Sequence, residues 1–482
     1  MRRQAGDPPL PAAGTSERVT ARQWLVLAVV LSGFFLILLD GTIMNAAIPP
    51  IQRDLATTFS AAQWMMSGYA LAFGVVLITA GRLGDRFGYK RLFLTGLAAF
   101  TVASALCAIA TTGAEIVFYR AVQGVAAGVM NPAVLAMIRL VFPENERGRA
   151  FVWYGAVAGI AASVGPVLGG LIISTDLYGL GWRPIFLLNI PIGIVTLACG
   201  MRWLPEHRGR AGSLDLVGVG LLSATLVLLL YPLIQGYETG WPGELYLLLL
   251  LSVVLGLGFV WWQRYRLREG TGPVVDIRLF GNRSFAAGVG VAVFQFVAFA
   301  GMQFALSAYL QLGLGQSALA TGLALAPFAV GTFVGSTLSN VAVRRLGRAA
   351  LHWGSGLMAA GTAATALTIQ LVGGSVDGLW LSPSTFVTGV GAMLLGAPII
   401  NIILTDVRSE EAGSAGGIVG TAQRVGHALG VALVGTVLFG LVSARSGAGL
   451  VEEYTTAIQL ATLCCTGAAL VSHVLIYRLP RR

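Results

Sequence analysis

Asp40, Glu115, Arg120, Arg424 and His427 stand inside, or at the edge of, long apolar stretches. A charge at the centre of a bilayer costs at least about 2.5–3.5 kcal/mol on insertion scales, so each needs a partner or a task. Asp40 lies about eight residues and Arg120 about five from the ends of their runs, roughly 12 and 8 Å deep at the helical rise. These depths are close enough for one network. Desolvation favours the neutral acid and a nearby guanidinium favours the carboxylate. A carboxyl whose hydration changes can therefore take and release a proton. The alternative is a permanent ion pair that only fastens two helices. Arg424 is a candidate for proton coupling or substrate contact, or else it snorkels or holds backbone. His427, one turn on, is a proton relay or a packing residue. Glu115, at the edge of its run, reads as an interface residue and the reserve proton site.

Other chemistry finds no purchase. Cys107, Cys199, Cys464 and Cys465 have no CxxC spacing and no histidine set for a metal. No phosphate-binding GxxxxGK[ST], GxSxG or HExxH motif occurs. Neither a metal, a cofactor nor an enzymatic activity is expected.

The elements that must position these residues follow from composition. Of the 482 residues 56% are hydrophobic and 11% charged, against about 25% charged in a soluble chain. The mean hydropathy is +0.79. Apolar runs of about 20 residues match the hydrocarbon thickness of a bilayer and read as spanning helices. About fourteen occur, from 24–48, 62–81 and 115–138 to 455–477. The first begins near Trp24 without a small-residue cleavage site, as a retained helix does. Lysine and arginine crowd the N-terminal arm, alternate loops, Arg408 and the tail, with only Arg53, Arg183 and Arg445 opposite. The positive-inside rule places both termini in the cytoplasm. It also accounts for the net charge of +10, which is spread along the membrane face and meets lipid rather than nucleic acid.

Short motifs sharpen this reading. After the second run comes Gly81-Arg82-Leu83-Gly84-Asp85-Arg86-Phe87-Gly88-Tyr89-Lys90-Arg91. Read alone it is a tight, basic turn in which Asp85 caps or bridges a helix end. Its order G-x-L-x-D-R-x-G-x-K-R resembles the signature turn of the major facilitator superfamily, and Val341–Leu351 repeats it without the acid. Arg120-Ala121-Val122-Gln123-Gly124 is similar to that superfamily's intramembrane R-x-x-q-G pattern. Gly159 and Gly165-Pro166-Val167-Leu168-Gly169-Gly170 resemble the signature of its antiporter branches, and read alone are small-residue packing with a proline kink. Leu39–Pro49 looks like the segment that opens the fourteen-helix drug:proton antiporters. Trp182, Arg183, Phe186, Asn189, Pro191 and Gly193 match a second stretch of that subfamily, with Pro184 in place of its usual tryptophan.

The resemblance implies an all-α membrane fold of two six-helix halves with two extra helices between them. The expected divisions are an arm over 1–23, a half over 24–204, the insertion over 205–284, a half over 285–477 and a tail over 478–482. It also implies efflux of an amphipathic or cationic drug in exchange for protons, at a site between the halves, by a monomer of the plasma membrane. Export of a self-made metabolite or lipid is the alternative within transport, and a non-transporting membrane sensor the alternative outside it. Lys90 is the sole lysine, a bias that points to a high-GC bacterium and so to its inner membrane.

Overall fold

The computed structural model describes residues 20–206, 215–373, 376–405, 412–442 and 448–479. Most of the N-terminal arm, the 207–214 linker, Arg408 and the last residues of the tail lie outside them. Among the described residues fourteen helices are long and apolar enough to cross a membrane. In chain order they are α1 Ala21–Asp54, α2 Phe59–Phe87, α3 Tyr89–Ala108, α4 Gly113–Val141 and α5 Arg147–Thr175. Then come α6 Pro184–Trp203, α7 Leu216–Thr239, α8 Gly243–Arg268 and α9 Arg283–Ala308. The last are α10 Ala318–Leu346, α11 Ala349–Val372, α12 Gly378–Thr405, α13 Ala412–Gly440 and α14 Ala448–Ile476.

Several helices outrun their apolar stretches, because polar caps extend them beyond the lipid. Thr20 and Gln23 cap α1, which continues through Pro49 and Pro50 to Asp54. There Asp54 accepts from Trp182 Nε1 (2.9 Å) and Arg183 Nη1 (2.8 Å), tying α1 to the start of α6. The motif expected in a turn is another case. α2 runs to Phe87, so Gly81 to Arg86 form its last helical turns, and the turn itself is Gly88 alone, at φ 91°. That value lies where glycine bears no Cβ penalty.

Helices α1–α6 form one half and α9–α14 the other, and glycines set their closest approaches. Gly124 and Gly128 of α4 lie against the backbone of Tyr69 and Phe73 on α2. Gly331 and Gly335 of α10 lie against Phe386 and Val390 of α12 in the same way, so the second half repeats the first. Small residues let backbones meet where no hydrophobic force separates helix from lipid. Helix α7 occupies the groove between α2 and α13. Ser60 of α2 donates to Ile234 O (3.0 Å) and Thr436 of α13 donates to Leu233 O. Helix α8 leans on α7 through Ser252 Oγ and Thr225 O (2.8 Å) and exposes Leu247, Leu250, Val253, Leu257 and Trp261 outward.

The halves meet through α2 with α13, α5 with α10 and α1 with α9. Away from the Gly81–Arg91 motif they are sealed. Phe59 stacks on Phe439 with ring centroids 4.2 Å apart, Gln311 Nε2 donates to Ala46 O (3.2 Å) and Ser307 donates to Asn45 O. Near mid-depth Thr421 Oγ1 donates to Gly74 O (2.7 Å). Toward the motif end Gly81, Gly155 and Gly416 face open space, while α13 still touches α2 where Gly417 and Gly420 meet Ile78 and Leu77.

Candidate functional site

Asp40 and Arg120, far apart in sequence, meet at 2.5 Å in an ion pair whose side chains are each 1% exposed. Around the carboxylate stand only donors. Oδ2 accepts from Arg120 Nη1 (2.5 Å), and Oδ1 accepts from Gln123 Nε2 (3.0 Å) and Asn189 Nδ2 (3.2 Å). Ser104 Oγ accepts from the same two amides at 2.8 and 3.2 Å. Arg120 also donates to Gln123 Oε1 (2.5 Å) and to Met65 O (3.3 Å). Its guanidinium carbon lies 4.3 Å from the Tyr69 ring centroid. One carboxylate thus ties α1 to α4 and α6, with α3 joined through Ser104. A buried charge persists when paired and fully hydrogen-bonded, and charge-assisted bonds of this kind are the strong ones.

Gln123, Asn189, Ser104 and Tyr69 were not among the site residues expected from sequence. A neutral amide or hydroxyl in a helix carries no insertion penalty large enough to stand out. The available signals were the three-residue spacing from Arg120 to Gln123, which puts both on one helix face, and the place of Asn189 in the second subfamily stretch.

Arg424 and His427 are one turn apart on α13 and outside this network. The Arg424 guanidinium carbon sits 3.9 Å from the Phe73 ring centroid. It reaches across the boundary between the halves because Gly74 leaves room, where a Cβ would come within 2.8 Å of Arg424 Cβ. Tyr69 and Phe73 pack edge to face at 6.1 Å, so two neighbouring rings of α2 carry one arginine each. Glu115 lies apart from both. It closes a capping box with Thr112 and accepts from Thr111 N (2.8 Å), so its carboxylate is occupied by the start of α4.

The two motif segments are also resolved. On α5, Gly165 and Gly169 pack on Thr42 and Ile43 of α1, while Gly159 and Gly170 pack on Phe333 and Ala318 of α10. Pro166 lies against Gly322 of α10. The helix therefore touches the acid-bearing helix on one side and the other half on the opposite side. At the motif end Asp85 accepts from Tyr89 OH (2.6 Å) and Gly84 packs under that ring. Asp85, Arg86 and Arg91 are exposed and Lys90 is half-buried.

Arg82 donates to Gly272 O (2.9 Å) and Pro273 O, which sequence did not foresee. It docks the segment after α8 onto α2. Buried Asp215 anchors that segment, accepting from Gly218 N, Trp262 Nε1, Gln263 Nε2 and Val274 N at 2.9–3.3 Å. Burial alone would raise its pKa, but these donors prevail and hold the carboxyl below its ordinary value. The insertion between the halves is thus fastened to the motif.

Comparison with known proteins agrees with this architecture. The Major Facilitator Superfamily model matches residues 30–216 and 201–431. A probable actinorhodin transporter of Streptomyces coelicolor is 37% identical over 89% of this chain and 75% of its own length. A puromycin resistance protein of Streptomyces alboniger is 36% identical, over 94% of this chain and 92% of its own. A tetracenomycin C resistance and export protein of Streptomyces glaucescens is 32% identical over 89% of this chain and 77% of its own. An auto-inhibited peptide transporter of the POT family superposes with a TM-score of 0.65 at 18% identity, covering 96% of this chain and 98% of the other. At that identity it speaks for the fold alone.

Proposed function

The chain belongs to the Major Facilitator Superfamily, and on that premise we propose that it expels an amphipathic drug or antibiotic in exchange for protons, by alternating access. The observation that carries the reading is the buried Asp40, a carboxylate deep inside α1 held by donors from two helices. It stands one helix away from α5, which spans the gap to the other half. With Asp40 ionised, α1, α3, α4 and α6 are tied together. Adding a proton sets a hydrogen against donors, loosens the tie and frees Arg120. A change of hydration at this site is thereby linked to helix packing.

Inward proton flow releases about 2.3 kcal/mol per charge per 100 mV, enough for roughly 50-fold concentration per proton. No resident cofactor takes part. The three relatives described are named for transport or resistance to antibiotics, which favours outward movement of small molecules. The reading places a monomer in a bacterial inner membrane with both termini cytoplasmic, so the motif end faces the cytoplasm.

The test uses everted vesicles with an acid interior and a pH-sensitive dye. Adding a transported drug should dissipate the gradient for the wild type and for Asp40→Glu, but not for Asp40→Asn. Full drug movement and normal proton movement in Asp40→Asn would make the acid structural and move the proton site to Glu115 or His427.

A further inference from the structure

The charge at mid-depth is not balanced. Asp40 and Arg120 cancel each other, and Arg424 remains. Among the described residues no acceptor meets any Arg424 N–H. Tyr69 and Tyr154 are within its electrostatic reach, and among the described residues no carboxylate forms an ion pair with it. The ring face of Phe73 stabilises the cation, yet offers nothing to the guanidinium's five in-plane donors. Arg424 is partly exposed, so this fork is open to the space between the halves.

Around the cation the surface is aromatic. Tyr154, half-buried, stacks on Phe34 at 4.1 Å with the rings 14° from parallel. The Tyr69 hydroxyl and His427 Nδ1 are buried without a hydrogen-bond partner. An uncompensated fork of donors, flat rings and unpartnered polar atoms together describe a ligand. We infer that Arg424 is the anchor for an anionic aromatic substrate, its carboxylate or phenolate on the guanidinium and its planar body against Tyr154, which buried Phe34 backs. A planar acid suits a guanidinium bidentately, whereas a cationic drug, one of the two kinds expected from the sequence, would meet a like charge. The inference rests on the efflux reading for the direction of transport only.

Binding to purified protein without any gradient tests it, using anthracene-9-carboxylate, its methyl ester and 9-(aminomethyl)anthracene as fluorescent probes. The carboxylate should bind at least about ten-fold tighter than the ester or the amine, an effect of the size expected for one charge-assisted contact. Arg424→Gln should level the three, and Arg424→Lys should keep the order with a smaller margin. Equal affinities in the wild type, a preference for the amine, or an unchanged preference in Arg424→Gln would each overturn the inference. If Arg424→Gln fails to fold, Arg424→Lys decides the matter: an unchanged margin there would overturn the inference. A protein that prefers the carboxylate but moves no compound under a proton gradient would overturn the efflux reading and support this one.

Discussion

Asp40 Oδ1 accepts from Gln123 and Asn189 while Oδ2 accepts from Arg120, so losing the acid leaves a buried guanidinium uncompensated. Breaking a buried pair from one side costs about 3–5 kcal/mol, and a single Asp40→Asn variant therefore mixes lost coupling with lost folding. Removing both charges separates the two. In Asp40→Asn/Arg120→Gln the thermal stability in detergent should return to within about 1–2 kcal/mol of the wild type, while drug-driven proton movement stays absent. Proton movement that returns with stability would make the pair a clamp. These two residues were legible in the sequence because an intramembrane charge is costly enough to need a reason. Their geometry was only partly legible. Depth counted from the apolar run was compatible with contact, but it could not say which faces of α1 and α4 meet. Gln123, Asn189 and Ser104 were hidden because polar groups without charge are common in such helices and reveal themselves only through a partner.

Helix α5 carries two kinds of glycine contact, and they differ in how far the neighbour can yield. At Gly170 a Cβ would come 2.5 Å from Ala318 O and 2.7 Å from Leu319 Cα, both backbone atoms of α10. At Gly159 the neighbour is the ring of Phe333, at 2.6 Å, which can rotate. Overpacking against rigid structure costs about 1–3 kcal/mol, or roughly 5- to 150-fold in the population of the closed state. Gly170→Ala should therefore slow transport by about ten-fold or more, and Gly159→Ala by only a few-fold. Initial efflux rates of the two variants at equal expression check this, and a more severe Gly159→Ala would contradict it. The glycine spacing announced close packing from sequence. Which neighbour each glycine meets was not legible, since a helix that is apolar all round has no period that marks its partner. The same reason concealed α7 in the groove between α2 and α13 and the docking of Arg82 on Gly272 and Pro273.

Across the whole molecule, the halves are closed at one end by Phe59 on Phe439 and by the Gln311 and Ser307 bonds to α1, while toward the other Gly81, Gly155 and Gly416 face open space. The seal also buries unsatisfied polar atoms. Asn45 Oδ1, Gln52 Oε1, Gln63, Gln303 Oε1 and Gln311 Oε1 are buried there with no hydrogen-bond partner. A buried polar group left unsatisfied costs about 1–3 kcal/mol, and water entering from that end would satisfy all of them. Hydration therefore favours parting of this end, and the proposed cycle would draw on it when the ties at Asp40 loosen. If transport requires this end to part, fastening it must stop turnover without closing the motif end. The pair Phe59→Cys/Phe439→Cys, bridged by a short bifunctional thiol reagent, should lose nearly all drug-driven proton movement and regain it on reduction. Ligand binding from the motif side should persist in the bridged protein. Either single variant treated alike should remain active, which controls for the lost ring stack. Undiminished transport in the bridged protein would mean that the substrate leaves by a route other than the one these residues close.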